Sequence, residues 1–156
     1  DVVSFFGREQ TFPAGASITV AHEYAPVTGG SVAGMLFPEV RKGDPETMAR
    51  YRRDYCIDDA FLAGFDARLA RHRQSPTFTT YSETRIGYAL SPGANWKGPI
   101  GDFRLVVDKG SADNLVSFCM DGVRKIAPTR FEVRKTAFEP ARDLKVLIVR
   151  FHHSDE

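Results

Sequence analysis

The stretch 79–108 most constrains what this chain can become. Two strand-like runs, 81–90 and 103–107, flank a turn-rich segment, 91–102, that carries Gly93, Gly98, Gly101, Pro92, Pro99 and the only tryptophan, Trp96. Strand, shaped loop, strand is the direct reading. Within the first run Ile86, Tyr88 and Leu90 share one face and Glu83, Arg85 and Gly87 the other, the period of a half-buried sheet.

The same period recurs on both sides. Ile18, Val20, His22 and Tyr24 alternate with Thr19, Ala21 and Glu23, which predicts a strand with His22 packed among apolar neighbours. Before it lies an apolar patch, Val2, Val3, Phe5 and Phe6, closed by the turn signal at 12–15. After the central stretch the runs 115–120, 123–126, 131–133 and 144–151 read as short strands punctuated by Gly110, Asp121-Gly122, Pro128 and Pro140. Asp121-Gly122 is a strong hairpin signal, and the prolines belong to loops or edges. The run 144–151 is apolar on both faces, so it is central or covered.

One segment breaks the period. Asp44 as cap, Pro45 at the first helical position and Glu46 in the first turn predict a helix over 45–54. Asp58 or Asp59 then caps a second helix over 60–73, whose Phe61, Leu62, Phe65 and Leu69 form one stripe in need of a sheet. Many short strands without βα alternation give an antiparallel, immunoglobulin-like β-sandwich, and the helices at 44–73 are an insertion or cover. One domain, 1–156, is expected from 156 residues.

Charge and composition exclude some functions. Twenty-one basic and 20 acidic residues nearly cancel, so no net field favours nucleic acid or an anionic membrane. Arg50, Arg52, Arg53, Arg68, Arg71 and Arg73 are interspersed with acids and read as a solvated surface. No apolar run is long enough to span a bilayer, and residues 1–10 do not have the pattern of a signal peptide. Residues 26–34 are glycine-rich but have neither the P-loop Lys-Ser/Thr nor a following helix, so they read as a plain mobile loop. His72 sits at a helix end, where a cation is favoured. His152 and His153 point to opposite faces and read as a fraying terminus, and no metal or cofactor is expected. Cys56 and Cys119 have no metal-like spacing; they are either two reduced, buried thiols or one bond closing a long loop.

Several unusual segments carry a resemblance: 10–15 (QTFPAG), 20–31 (VAHEYAPVTGGS), 55–59 (YCIDD), 93–105 (GANWKGPIGDFRL), 117–122 (SFCMDG) and 138–148 (FEPARDLKVLI). In these the chain resembles the second half of domain-of-unknown-function family 4424, secreted and mainly proteobacterial. The resemblance implies a β-rich protein exported to the periplasm from a longer precursor, and carries no activity. An oxidising compartment in turn implies a Cys56–Cys119 disulfide.

The expected function is therefore noncatalytic binding of a protein or envelope component, with Trp96, Tyr88, Asn95 and Pro99 as contact candidates because rigid aromatics supply much interface energy. An opposing expectation for Trp96 is that it plugs one end of the sandwich or packs on the helices. A small apolar ligand held between helices and sheet by Phe61, Phe65, Tyr88 and Phe103 is an alternative. A hydrolase using His22 and Glu23 with Ser82 or Ser117 is a weaker one, because adjacent strand residues face opposite ways. Oligomeric state is not readable.

Overall fold

Alternation along the strands and capping along the helices produce three layers in the computed structural model, which describes residues 7, 9–32 and 34–154. The patch of Val2, Val3, Phe5 and Phe6 lies outside the described residues. In chain order the elements are β1 (Gly29–Val32), α1 (Pro38–Gly43), α2 (Pro45–Tyr55), α3 (Asp59–His72), β2 (Phe78–Tyr88), a 3-10 turn (Ser91–Asn95), β3 (Ile100–Asp108), β4 (Leu115–Phe118), β5 (Arg124–Lys125), β6 (Arg130–Phe138) and β7 (Leu144–His153). One sheet has the order β1-β2-β7-β4 and the other β3-β6-β5, all pairs antiparallel. Four strands against three is the immunoglobulin-like count, with the last strand in the central place beside β2.

Residue parity sorts the layers. On the four-stranded sheet Tyr81, Leu147 and Val149 point to the helices, where Leu36, Tyr51, Ile57, Leu62, Phe65 and Leu69 complete one core. Val146, Ile148 and Leu144 point the other way and meet Val107 and Val133 of the second sheet. β7 is thus covered on both faces, as its apolar run requires. The helices are a cover over the outer face of the larger sheet, and their starts follow the caps: Thr47 N donates to Asp44 Oδ1 at 2.9 Å and Phe61 N to Asp58 Oδ1 at 2.7 Å.

Several expectations are corrected. The pattern at 18–24 forms no strand; the segment lies exposed and outside both sheets, with His22 exposed as well. Part of the glycine-rich run is instead β1, which pairs antiparallel with β2 from Gly29 opposite Arg85 to Val32 opposite Ser82. Asp121-Gly122 makes no hairpin. β4 pairs with β7 and β5 with β6, so this turn, with Gly122 at φ 77°, passes the chain from one sheet to the other. The hairpin is between β5 and β6, closed by Arg130 N donating to Ala127 O at 3.3 Å. The face of Glu83 is not solvated: the helices bury Glu83 to 1% exposure.

The cysteines are joined. Cys56 caps the C-terminus of α2 in a left-handed conformation (φ 54°), and its bond to Cys119, just past β4, ties the helical cover to the sheet with a Cα–Cα distance of 5.0 Å. They are not the reduced, buried pair of the alternative reading, since Cys56 is exposed.

Candidate functional site

Between the sheets the packing is incomplete at the β3 edge. There an apolar groove of about 450 Å³ runs between the inner face of β2 and β7, with Ile86, Tyr88, Leu144, Val146 and Ile148, and the length of β3 from Phe103 to Asp108. Phe103, Leu105 and Val107 are the inward side of β3, and Arg104, Val106 and Asp108 the exposed side. Among the described residues β3 has β6 on one edge and no strand on the other. A sheet edge with free backbone groups beside an apolar cleft can take an extended chain by strand addition. The inner face of the larger sheet changes character beyond the groove, where Arg150 Nη1 donates to Thr84 Oγ1 at 2.6 Å and Ser82 meets His152 Nε2 at 2.6 Å.

The loop between β2 and β3 starts at Leu90, which lines the groove. Asp143 Oδ1 accepts from Leu90 N and Ser91 N, both at 3.0 Å, and from Ser91 Oγ at 2.7 Å. Those hydrogen bonds, the one from the Ser91 hydroxyl first, hold the Asp143 carboxyl below its ordinary range. Gly93 lets the turn lie against Pro140, since a Cβ there would sit 3.2 Å from Pro140 Cγ. With its start fixed in this way, the loop presents Trp96 at 66% exposure, and Asn95 and Pro99 are exposed beside it. Trp96 therefore plugs neither end of the sandwich nor the helix interface. Tyr88, at the end of β2, is 49% exposed and lines the groove.

The other predicted constellations are not assembled. Phe65 is fully buried in the core under the helices with Phe61 against it, whereas Tyr88 and Phe103 line the groove on the far side of the sheet. The helix–sheet interface is a packed core, and the apolar groove is between the sheets. Of the hydrolase set, Ser117 Oγ donates to Tyr55 O at 2.7 Å, Ser82 pairs with His152, and His22 lies on the exposed segment. A second cavity of about 360 Å³ lies beside the disulfide and is lined by charged groups including Lys135, Arg142 and Asp143. Among the described residues no group of three or more His, Cys, Asp and Glu is placed to hold a metal ion, and no helix is long and apolar enough to cross a membrane.

Two polar clusters escaped the sequence reading. Beneath the helices Tyr51 donates to Glu83 Oε2 at 2.7 Å, Tyr81 lies 3.4 Å from Oε1 while accepting from Leu36 N, and Arg85 Nε is 3.9 Å away. Burial, then the hydrogen bond to Glu83, pushes the Tyr51 phenol above its ordinary value. At the far end, His72 Nε2 contacts Asp113 Oδ2 at 2.5 Å and His72 Nδ1 meets His153 Nε2 at 2.8 Å, while His153 Nδ1 meets Thr77 Oγ1 at 3.0 Å. His72 also stacks on Phe151, with centroids 4.5 Å apart. His153 is therefore pinned rather than frayed. Its parity, shared with Leu147, Val149 and Phe151, was the available signal, because that face meets the end of α3. Burial works against ionisation of Asp113, but its bonds to His72 and Arg71 outweigh it and hold the carboxyl below its ordinary range.

Fold and site define a class: a two-sheet antiparallel β-sandwich with a helical cover and an apolar groove open at one edge strand. The chain belongs to the family described as domain of unknown function (DUF4424), whose model matches residues 1–147. No curated protein and no solved structure matches it.

Proposed function

We propose that this chain is a noncatalytic binding module of an exported, periplasmic protein, one sandwich domain forming the second half of a longer chain, and that it takes a protein or envelope component at the groove beside β3. The observation that carries this reading is the groove itself: an apolar cavity of about 450 Å³ beside an edge strand that has no second neighbour among the described residues. Tyr88 in the groove lining, and Trp96, Asn95 and Pro99 exposed on the loop that leads from β2 to β3, are the proposed contacts, two of them aromatic anchors of the kind that dominate binding energy. The solvent-exposed Cys56–Cys119 bond supports export, because such bonds persist in oxidising compartments.

The test is capture from an envelope extract by the wild type and by the double variant Tyr88→Ala/Trp96→Ala. A species held by the wild type and lost with the variant is the expected result; identical capture by both contradicts the assignment. A second reading, a small apolar ligand, is favoured by the groove volume, which lies in the range of small-molecule sites. It predicts enhanced fluorescence of an apolar dye on mixing with the wild type, and abolition of that signal by Leu105→Glu.

A further inference from the structure

The disulfide stands in an uneven setting. Cys56 is exposed at the end of α2, and Cys119 is half-buried just past β4. Their two sulfurs face different groups. Arg142 Nη2 lies 4.0 Å from Cys56 Sγ, and this exposed guanidinium pairs with no carboxylate among the described residues. Cys119 Sγ instead lies 3.4 Å from the carbonyl oxygen of Arg53. A guanidinium favours a thiolate and a carbonyl favours the protonated thiol, so of the two cysteines Cys56 is the better leaving group. The carbonyl end of α2 opposes charge on Cys56, and Ser117 Oγ, which donates to Tyr55 O at 2.7 Å, offsets part of that opposition.

Access agrees with this asymmetry. Both cysteines line the cavity of about 360 Å³, whereas a smaller one of about 270 Å³ reaches Cys119 and leaves Cys56 out. The wall of the smaller cavity brings Arg53, Arg142 and Lys145 together with Asp54 and Asp143. Both carboxylates are occupied: Asp54 by Arg53 at 3.1 Å and Lys145 at 2.9 Å, and Asp143 by Leu90 N, Ser91 N and Ser91 Oγ. Three cations against two occupied carboxylates draw an anion toward Cys119. The larger cavity is the less favourable approach, since Asp121, Glu139 and Asp143 outnumber Lys135 and Arg142 in its wall.

We propose that Cys119 is a thiol-exchange site for a small thiol bearing carboxylate groups, with Arg142 stabilising the departing Cys56 thiolate. The thiol loses its proton to solvent, its thiolate attacks Cys119 Sγ, and a mixed disulfide forms there. The Cys56–Cys119 bond breaks and its electron pair leaves on Cys56 Sγ beside Arg142, so the incoming sulfur is oxidised as the Cys56 sulfur is reduced. The helical cover is then held to the sheet by its apolar core without the covalent tie. This chemistry is independent of what the groove beside β3 takes.

The test uses the oxidised wild type, Arg142→Gln and Arg142→Lys, with folding checked by circular dichroism. Each is mixed with reduced glutathione or with cysteamine, an anionic and a cationic thiol, quenched in acid at short intervals, alkylated and mapped by peptide mass. Every rate is divided by that of the same thiol with a small uncharged disulfide, which removes the difference in intrinsic nucleophilicity. The expected result is a first glutathione adduct on Cys119 with the new free thiol on Cys56, formed about threefold faster or more than the cysteamine adduct. Arg142→Gln should slow the glutathione reaction by about threefold or more, and Arg142→Lys should restore most of the rate. A first adduct on Cys56, or equal adducts on both cysteines, overturns the assignment of Cys119. Equal rates for the two thiols overturn the anionic class of partner, and an unchanged rate in Arg142→Gln overturns the role of that guanidinium. A rate that does not rise with thiol concentration means that the bond opens only after the chain unfolds, which overturns exchange in the folded protein altogether.

Discussion

Reduction of the Cys56–Cys119 bond should lower stability by an amount that the chain itself sets. The bond spans a sequence separation of 63, and the loop-closure entropy it removes from the unfolded chain corresponds to about 4 kcal/mol at 25 °C. That loop contains α3, β2 and β3, so reduction frees a large part of both cores in the unfolded state while breaking no core contact in the folded one. Cys56 also holds a left-handed backbone at the end of α2 (φ 54°), where a residue with a Cβ is less at ease than glycine. For a domain with a urea slope of about 2 kcal/mol per molar, the midpoint should fall by about 2 M. Urea titrations followed by far-ultraviolet circular dichroism, with and without reductant and on Cys56→Ser/Cys119→Ser, measure this directly. A midpoint that moves by less than about 0.5 M in both comparisons would refute the reasoning. It would mean that the helical cover and β4 remain associated in the unfolded chain without the bond.

Three further outcomes are expected. Gly34→Ala should cost about 1–3 kcal/mol, because a Cβ there would lie 2.6 Å from Glu83 Cδ and the buried carboxylate has little room to move; an unchanged thermal midpoint would show that the packing is looser than described. Tyr51→Phe should cost about 1–3 kcal/mol by removing the donor at 2.7 Å from buried Glu83, and a double-mutant cycle with Tyr81→Phe should show coupling, whereas strict additivity would mean the hydroxyls act independently. The carboxyls of Asp54, Asp113 and Asp143 are held below the ordinary range, and that of Asp108, bonded first to Arg130, at about 2. Depressed carboxylates contribute stability that is present above about pH 4 and lost as pH falls toward 2, so the urea midpoint should drop over that window, and a flat profile would contradict these pairings.

How much of this was legible follows from what each signal encodes. Period-2 runs gave β2, β3 and β7, and Asp44 and Asp58 gave the two longer helices to within a residue or so, because alternation and capping are local. Partner choice is not local. Residues 18–24 have the pattern of a strand without a neighbour in this chain's sheets, and Asp121-Gly122 is a turn whose flanking strands belong to different sheets. Glu83 read as a solvent-facing residue because its burial depends on Tyr51, Tyr81 and Arg85, which converge only once α2 lies over β2. Tyr88 and Trp96 were recognisable as aromatics next to a shaped loop, but the groove between β7 and β3 results from two sheets that do not close on each other, a distance no pattern records.

Photo-crosslinking from single positions in the protein at its cellular location most directly tests the claim that the open β3 edge is the binding surface. A photoreactive residue is placed in turn at Tyr88, Leu90 and Val106, which line the groove, and at the exposed Arg50 and Ala67 of the helices. The account predicts adducts from the three groove positions and none from the helical pair; adducts confined to the helical pair, or equal labelling from all five, would contradict it.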